Sequence, residues 1–171
     1  MAEIVPTDRL QPALLDRLTD DEPQSRVEGR EKRVISTRRL RECVLRDLAW
    51  LLNTGNLAQV EELGDFEEAA KSVINYGVRD LTGTLASSTD LADLERAIKL
   101  AIVQFEPRIL AKGVKVRAVG AVDTATHNAI AFEIEGELWG QPMPTRLYLR
   151  SELDLEDGTI RVSDRVEGGS A

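Results

Sequence analysis

The chain has 171 residues, 42% of them hydrophobic, which is enough to bury a sizeable core in one compact domain. A net charge of −8 and an aromatic content of 4% argue against general affinity for nucleic acid or anionic membrane, and leave few platforms for stacking bases or sugars. A single cysteine, Cys43, excludes an intrachain disulfide, and with a single histidine, His127, an ordinary closed zinc site cannot be assembled.

The opening residues, Met1 to Asp8, lack the basic start and apolar core of a signal peptide. No apolar run approaches the ~20 residues that a membrane span needs. Both observations point to a cytoplasmic protein, dissolved or attached to something larger. Leu10, Leu14, Leu15 and Leu18 then make a short amphipathic stripe, with Pro12 and Ala13 suited to its first turn. A helix this short is marginal alone, so it needs the main body or a partner to dock on. Residues 24–35 read as a polar linker. The chain therefore divides into a short helix and linker over 1–35, an α+β domain over 36–165 and a flexible tail over 166–171. From Arg26 to Arg46, eight basic side chains face three acidic ones, a local balance of +5. This is either a solvated helix face or a docking patch for an acidic protein surface.

Ser36 or Thr37 can cap a second helix that runs to about Asn53. Leu40, Val44, Leu48 and Leu51 form its apolar stripe, widened by Trp50 and Leu52, and Cys43 reads as a small buried hydrophobe within it. Residues 57–71 are acidic and read as an exposed loop or short helix. In Ser72-Val73-Ile74-Asn75-Tyr76-Gly77 the Val-Ile pair favours extended structure, and Asn75 and Gly77 favour a turn. Asp80 to Thr84 reads as another turn. Ser88, Thr89 or Asp90 can cap the third helix, whose stripe is Leu91, Leu94, Ile98, Ala101, Ile102 and Phe105. Pro107 has no N–H and disfavours a helical Glu106, so this central helix ends at Glu106-Pro107-Arg108.

Beyond Gly113 the apolar period changes to two, which predicts a mainly antiparallel sheet of about four strands: Val114–Val119, Ala129–Glu135, Arg146–Arg150 and Thr159–Val162. Asp157-Gly158 marks a tight turn between the last two. Ile130, Phe132 and Ile134 face one side of the sheet, and Glu133, Glu135 and Glu137 the other. The acidic face discourages self-pairing of the sheet.

Chemistry-bearing motifs are sparse. Phosphate-binding glycine loops and the GxSxG elbow are missing, and His127 lies in a polar loop, Thr124 to Asn128, as a surface residue. Glu133 and Glu135, on one strand face, would sit ~6–7 Å apart. That grazes the spacing of inverting glycosidases, yet carboxylates on a wet sheet face stay ionised and lack the raised pKa of a general acid. No catalytic, cofactor-binding or metal-binding residue is assigned. Glu106 and Arg108 flank Pro107 at the change of period and have two readings. Either they brace the turn against each other, or Arg108 reaches a carboxylate or backbone carbonyl of another subunit. On the second reading Arg108→Ala leaves the isolated domain folded.

Four stretches occur in an order that resembles a known family: Leu14-Leu15-Asp16-Arg17-Leu18, Asp47-Leu48-Ala49-Trp50-Leu51-Leu52-Asn53, Ser72 to Gly77, and Phe105-Glu106-Pro107-Arg108. Together they look like the TssE family of small baseplate wedge subunits of bacterial type VI secretion systems, within the GPW family of contractile-tail baseplate proteins. The resemblance spans about residues 10–162. It implies a structural protein with no cofactor, in a baseplate attached to the inner-membrane complex. The implied wedge partners are TssF, TssG and TssK, and the implied sheath partners are TssB and TssC. It implies a role in starting the contractile sheath, whose subunits would add strands to this sheet. It assigns partner binding to Glu106, Pro107 and Arg108, with Asn75, Tyr76, Gly77, Leu14, Leu15, Arg17 and Leu18 as secondary motif positions. Members of the family have been labelled lysozyme-like, and the residues give that label no support.

Overall fold

A computed structural model describes residues 13–19, 24, 36–79, 88–124, 127–139 and 144–165, with backbone only for 88–90, 120–124 and 127–128. The linker over 25–35, the turn from Asp80 to Thr84 and the tail lie outside the described residues.

The fold is α+β. Helices α1 (Leu14–Leu18), α2 (Thr37–Leu52), α3 (Glu67–Lys71) and α4 (Ser88–Phe105) precede strands β1 (Lys115–Thr124), β2 (His127–Leu138), β3 (Thr145–Asp154) and β4 (Ile160–Asp164). The strands form one antiparallel meander in the order β1-β2-β3-β4, so β1 and β4 are its two edges. Among the described residues no helix is long and apolar enough to cross a membrane.

Helix α2 starts where Ser36 Oγ accepts the Arg39 N–H at 3.1 Å. Its stripe buries Leu40, Cys43, Val44, Leu48, Leu51 and Leu52. Helix α4 buries Leu94, Ile98, Ala101 and Ile102. Both helices cover the inner sheet face, where Ile130, Phe132, Ile134, Leu147, Leu149, Leu153 and Ile160 are buried. Each such side chain contributes about 1.5–3 kcal/mol of apolar transfer, and this contiguous core fixes which face of every strand points inward.

The helix edges and strand edges are sewn together by polar side chains. Asn53, just past α2, donates from Nδ2 to Ile160 O at 2.8 Å and accepts the Ile160 N–H on Oδ1 at 2.8 Å. It therefore occupies the place of a neighbouring strand at one end of β4. Arg41 of α2 pairs with Asp164 at the other end. On β1 the register shifts between Ala118 and Gly120, and the Ala118 N–H is taken at 2.6 Å by the carboxylate of Glu95 from α4.

Several expectations need correction. All four strands are offset from or longer than their sequence patterns, and His127 opens β2 opposite Thr124 rather than lying in a loop. Val73-Ile74 is not extended. It forms a helical turn, Val73–Asn75, because Ser72 Oγ accepts from Ile74 N while Asn75 bonds Ala58 N and Ala70 O. Local side-chain bonds outweigh the preference of two β-branched residues. Helix α4 begins at Ser88, so Thr89 and Asp90 sit inside its first turn. Trp50 does not widen the buried stripe of α2: it is exposed, with the Arg46 guanidinium 5.0 Å over its ring.

The acidic sheet face is also not a uniform one. Registered against Glu133, Glu135 and Glu137 of β2 are Arg117 and Lys115 of β1 and Arg150 and Arg146 of β3, while Arg161 of β4 faces Glu152. The acidic row is the middle of a ladder of opposite charges. It cannot repel a second sheet in the way an acidic face would.

A corner where four motifs meet

The last helical bond of α4 runs from Glu106 N to Ile102 O, 2.9 Å. Pro107 cannot donate, and the chain turns. Two bonds to β2 then catch the turned segment: Trp139 N to Arg108 O at 2.7 Å and Leu110 N to Glu137 O at 2.8 Å. The helix thus ends and the sheet begins within a few residues.

Inside the turn, Glu106 is buried. Its Oε1 accepts from Arg108 Nε at 2.7 Å and from Arg108 N at 3.2 Å, and its Oε2 accepts from Nη2 at 2.5 Å. This is a two-pronged pair across one proline. Arg108 Nη2 also reaches Asp47 Oδ2 of α2, 2.6 Å away. Asp47 Oδ1 accepts from Arg46 Nε at 2.8 Å, and Arg46 Nη1 donates to Asp16 Oδ1 of α1 at 2.7 Å. The result is one alternating chain, Asp16–Arg46–Asp47–Arg108–Glu106, that ties α1, α2 and the end of α4 together.

Burial alone would make the Arg108 guanidinium easier to deprotonate, but the bonds and charges of Glu106 and Asp47 outweigh it and hold the group charged beyond the usual arginine range. Burial pushes the Asp16 carboxyl the opposite way from its neighbours. The hydrogen bonds from Arg46 and Cys43, and the charges of Arg46 and Arg108, prevail and lower its pKa. The Tyr76 hydroxyl is pushed up by burial and by the Asp47 and Glu106 carboxylates. Of Arg108, only Nη1 is left: it is buried and unpaired among the described residues.

Around this chain lies a groove of about 480 Å³ lined by Leu15, Trp50, Tyr76, Phe105, Pro107 and Arg108. Tyr76 and Phe105 meet edge to face, 5.3 Å between ring centres. Gly77, next to Tyr76, has φ +119°, and a Cβ there would lie 2.2 Å from Thr54 O, so only glycine allows the close approach that sets Tyr76. Leu15 is half exposed and faces the groove, whereas Leu14, Leu18 and Arg17 of α1 point to solvent. Of the expected stripe, Leu14, Leu15 and Leu18 are not buried and Leu10 lies outside the described residues; Asp16 fastens the helix.

The structure brings Glu106, Pro107, Arg108, Tyr76 and Leu15 to one corner. Asn75 holds the neighbouring turns. Asp16, Arg46 and Asp47 were missed by reasoning on charges, because the pairs Asp16–Arg46 and Asp47–Arg108 are far apart in sequence. A signal existed: Asp16 and Asp47 lie within two of the four quoted stretches, and all four stretches contribute to this corner. Its carboxylates are each bound by arginine, which leaves no general acid to deliver a proton. Among the described residues no group of three or more His, Cys, Asp or Glu could hold a metal ion.

A family model described as baseplate wedge protein gp25 matches residues 38–143. The chain belongs to this baseplate wedge family. The matched span runs from the start of α2, through α4 and the corner, to just past the end of β2, so the family's shared part contains every member of the network except Asp16. No curated protein and no solved structure matches the chain. Membership in the gp25 wedge family gives the chain a structural role in a contractile-tail baseplate.

Proposed function

We propose that the chain is a non-enzymatic, TssE-type wedge subunit of a type VI secretion baseplate, and that it starts the contractile sheath by accepting a strand on the free edge of its own sheet. One observation carries this reading. The paired residues of β4 place the N–H and C=O groups of Ile160, Val162 and Asp164 on the outward side. Asn53 uses those of Ile160. Those of Val162 and Asp164 bond to nothing among the described residues. Two residues of open edge, stopped at one end by an asparagine, form a short template for an incoming backbone.

Glu106, Pro107 and Arg108 serve on this reading as the partner-binding corner. The brace holds the guanidinium rigid, and the 20% of the Arg108 side chain that stays exposed lines the groove a partner would enter. The wedge partners are TssF, TssG and TssK, the sheath partners TssB and TssC, and the place is the cytoplasmic face of the inner-membrane complex. A lysozyme-like activity has no support in the geometry, because Glu106 is locked by Arg108 and Glu133 is paired with Arg165.

Val162→Pro tests the proposal. Proline removes the outward N–H and leaves the ladder bonds of Arg161 and Ser163 to β3 in place, as on natural edge strands. An isolated variant that still melts cooperatively checks that trimming the partly buried Val162 side chain keeps the fold. Cells carrying the variant are expected to form baseplate foci with tagged wedge subunits but no sheath tubes with tagged sheath subunits. Sheath tubes at the normal frequency would refute strand addition at β4.

A further inference from the structure

Val60, Phe66, Val73 and Ile74 are 78%, 63%, 80% and 66% exposed. Side-chain bonds hold them in place. Asn75 joins the turn Leu57–Gln59 to α3 through Ala58 N and Ala70 O, and Gln104 of α4 donates to Ala70 O at 3.3 Å. Leu100 and Val103 of α4, 61% and 37% exposed, extend the apolar surface beyond Gln104. Single exposed apolar residues need no explanation, but a group fixed by specific hydrogen bonds does. Here Ser72 and Asn75 hold two β-branched residues in a conformation they do not favour, with their side chains in water.

The charge along residues 61–68 has one sign. Glu61, Glu62, Asp65, Glu67 and Glu68 are all exposed. The next cation along the chain, Lys71, is bound to Glu67. Glu61, Glu62, Asp65 and Glu68 have no cationic partner among the described residues. Much of the segment's backbone is engaged in its own turns and none of it forms a strand, so it offers an incoming chain side chains and no ladder. A partner must therefore bring a backbone that is already satisfied, an apolar face and positive charge.

We propose that this surface docks a basic amphipathic helix of another baseplate protein, with its apolar stripe on Val73 and Ile74 and its lysines or arginines against Glu61, Glu62, Asp65 and Glu68. The site is separate from the β4 edge and from the Glu106–Arg108 corner, and it depends only on membership in the baseplate wedge family.

The test is site-specific photocrosslinking in the assembled wedge complex, with p-benzoylphenylalanine in place of Ile74, and at Arg161 on the outer sheet face as a control. The adduct is expected on a segment of another subunit with net positive charge and apolar residues at helical spacing. Replacing Glu61, Glu62, Asp65 and Glu68 by Lys should lower its yield about tenfold or more, while the circular dichroism and melting temperature of the isolated chain match those of the unmodified protein. The proposal is overturned by an adduct on a neutral or acidic segment, on residues 25–35 of the same chain or on a second copy. It is equally overturned by a yield no higher than at Arg161, or by a yield that the charge reversal leaves unchanged.

Discussion

Arg108 holds a buried carboxylate and a half-buried one at once, and this fixes what its loss would cost. Its side chain is 20% exposed and that of Glu106 is 4% exposed. Removing the guanidinium leaves Glu106 charged and buried with only the backbone N–H of residue 108 as a partner, which costs about 3 kcal/mol, at the low end for broken buried pairs because that bond remains and the cation is partly wet. Arg108→Ala should therefore lower the urea midpoint markedly. The double variant Glu106→Gln/Arg108→Ala should recover part of the loss, since the stranded charge is gone. If the double variant is no more stable than the single one, the pair is not what holds the corner. Asp16 makes a pH prediction. Its folded pKa lies below the ordinary carboxylate value, so its contribution is present above pH ~4 and is lost as pH falls through the lower folded value. The stability gap between the natural protein and Asp16→Asn should be constant near neutral pH and close as pH drops below ~4, as measured by urea unfolding at each pH.

At the level of elements, periodicity carried most of the fold. The stripes of α2 and α4, the proline stop and the alternation of Ile130, Phe132 and Ile134 each follow from a single stretch of sequence, and each is present. What was not legible depends on register or on distant partners. The acidic row of β2 reads as a lone acidic face until the strands are aligned, and only then do Arg117, Arg150 and Arg146 fall beside it. Val73-Ile74 has the composition of a strand, yet Ser72 and Asn75 cap it into a turn. Asn53 reads as an ordinary helix terminator. Its second job, bonding both backbone groups of Ile160, joins residues 107 apart in sequence. Asn53→Ala should thus cost about 1–3 kcal/mol, because it strands two backbone groups as well as losing a cap. Asn53→Asp should cost less than Ala only if the acceptor half of the bond dominates. Chemical denaturation of the two variants measures the division.

For the whole molecule, strand addition as proposed raises the question of how an open sheet stays unpaired until its partner arrives. Both edges carry a guard from the helical layer. On β1, Glu95 occupies the Ala118 N–H. On β4, Asn53 closes Ile160 and Arg41 ties down the Asp164 side chain. The guards differ in extent: the one on β4 leaves the Val162 amide and the Asp164 amide open, and they are consecutive on the outward side. An edge this short binds a strand weakly by itself, so pairing with another copy is disfavoured and a partner must add side-chain contacts to hold on. Amide hydrogen exchange then gives the final prediction. In the isolated protein the Val162 and Asp164 amides should exchange much faster than those of Arg161 and Ser163, which point into the sheet. When purified sheath subunits are added to the assembled baseplate, the same two amides should become protected, while Ala118, already held by Glu95, should change little. Protection that appears at Val116 instead would move strand addition to β1. Protection at neither edge would mean that the sheath is started through side chains alone, and the open stretch of β4 would have no part in assembly.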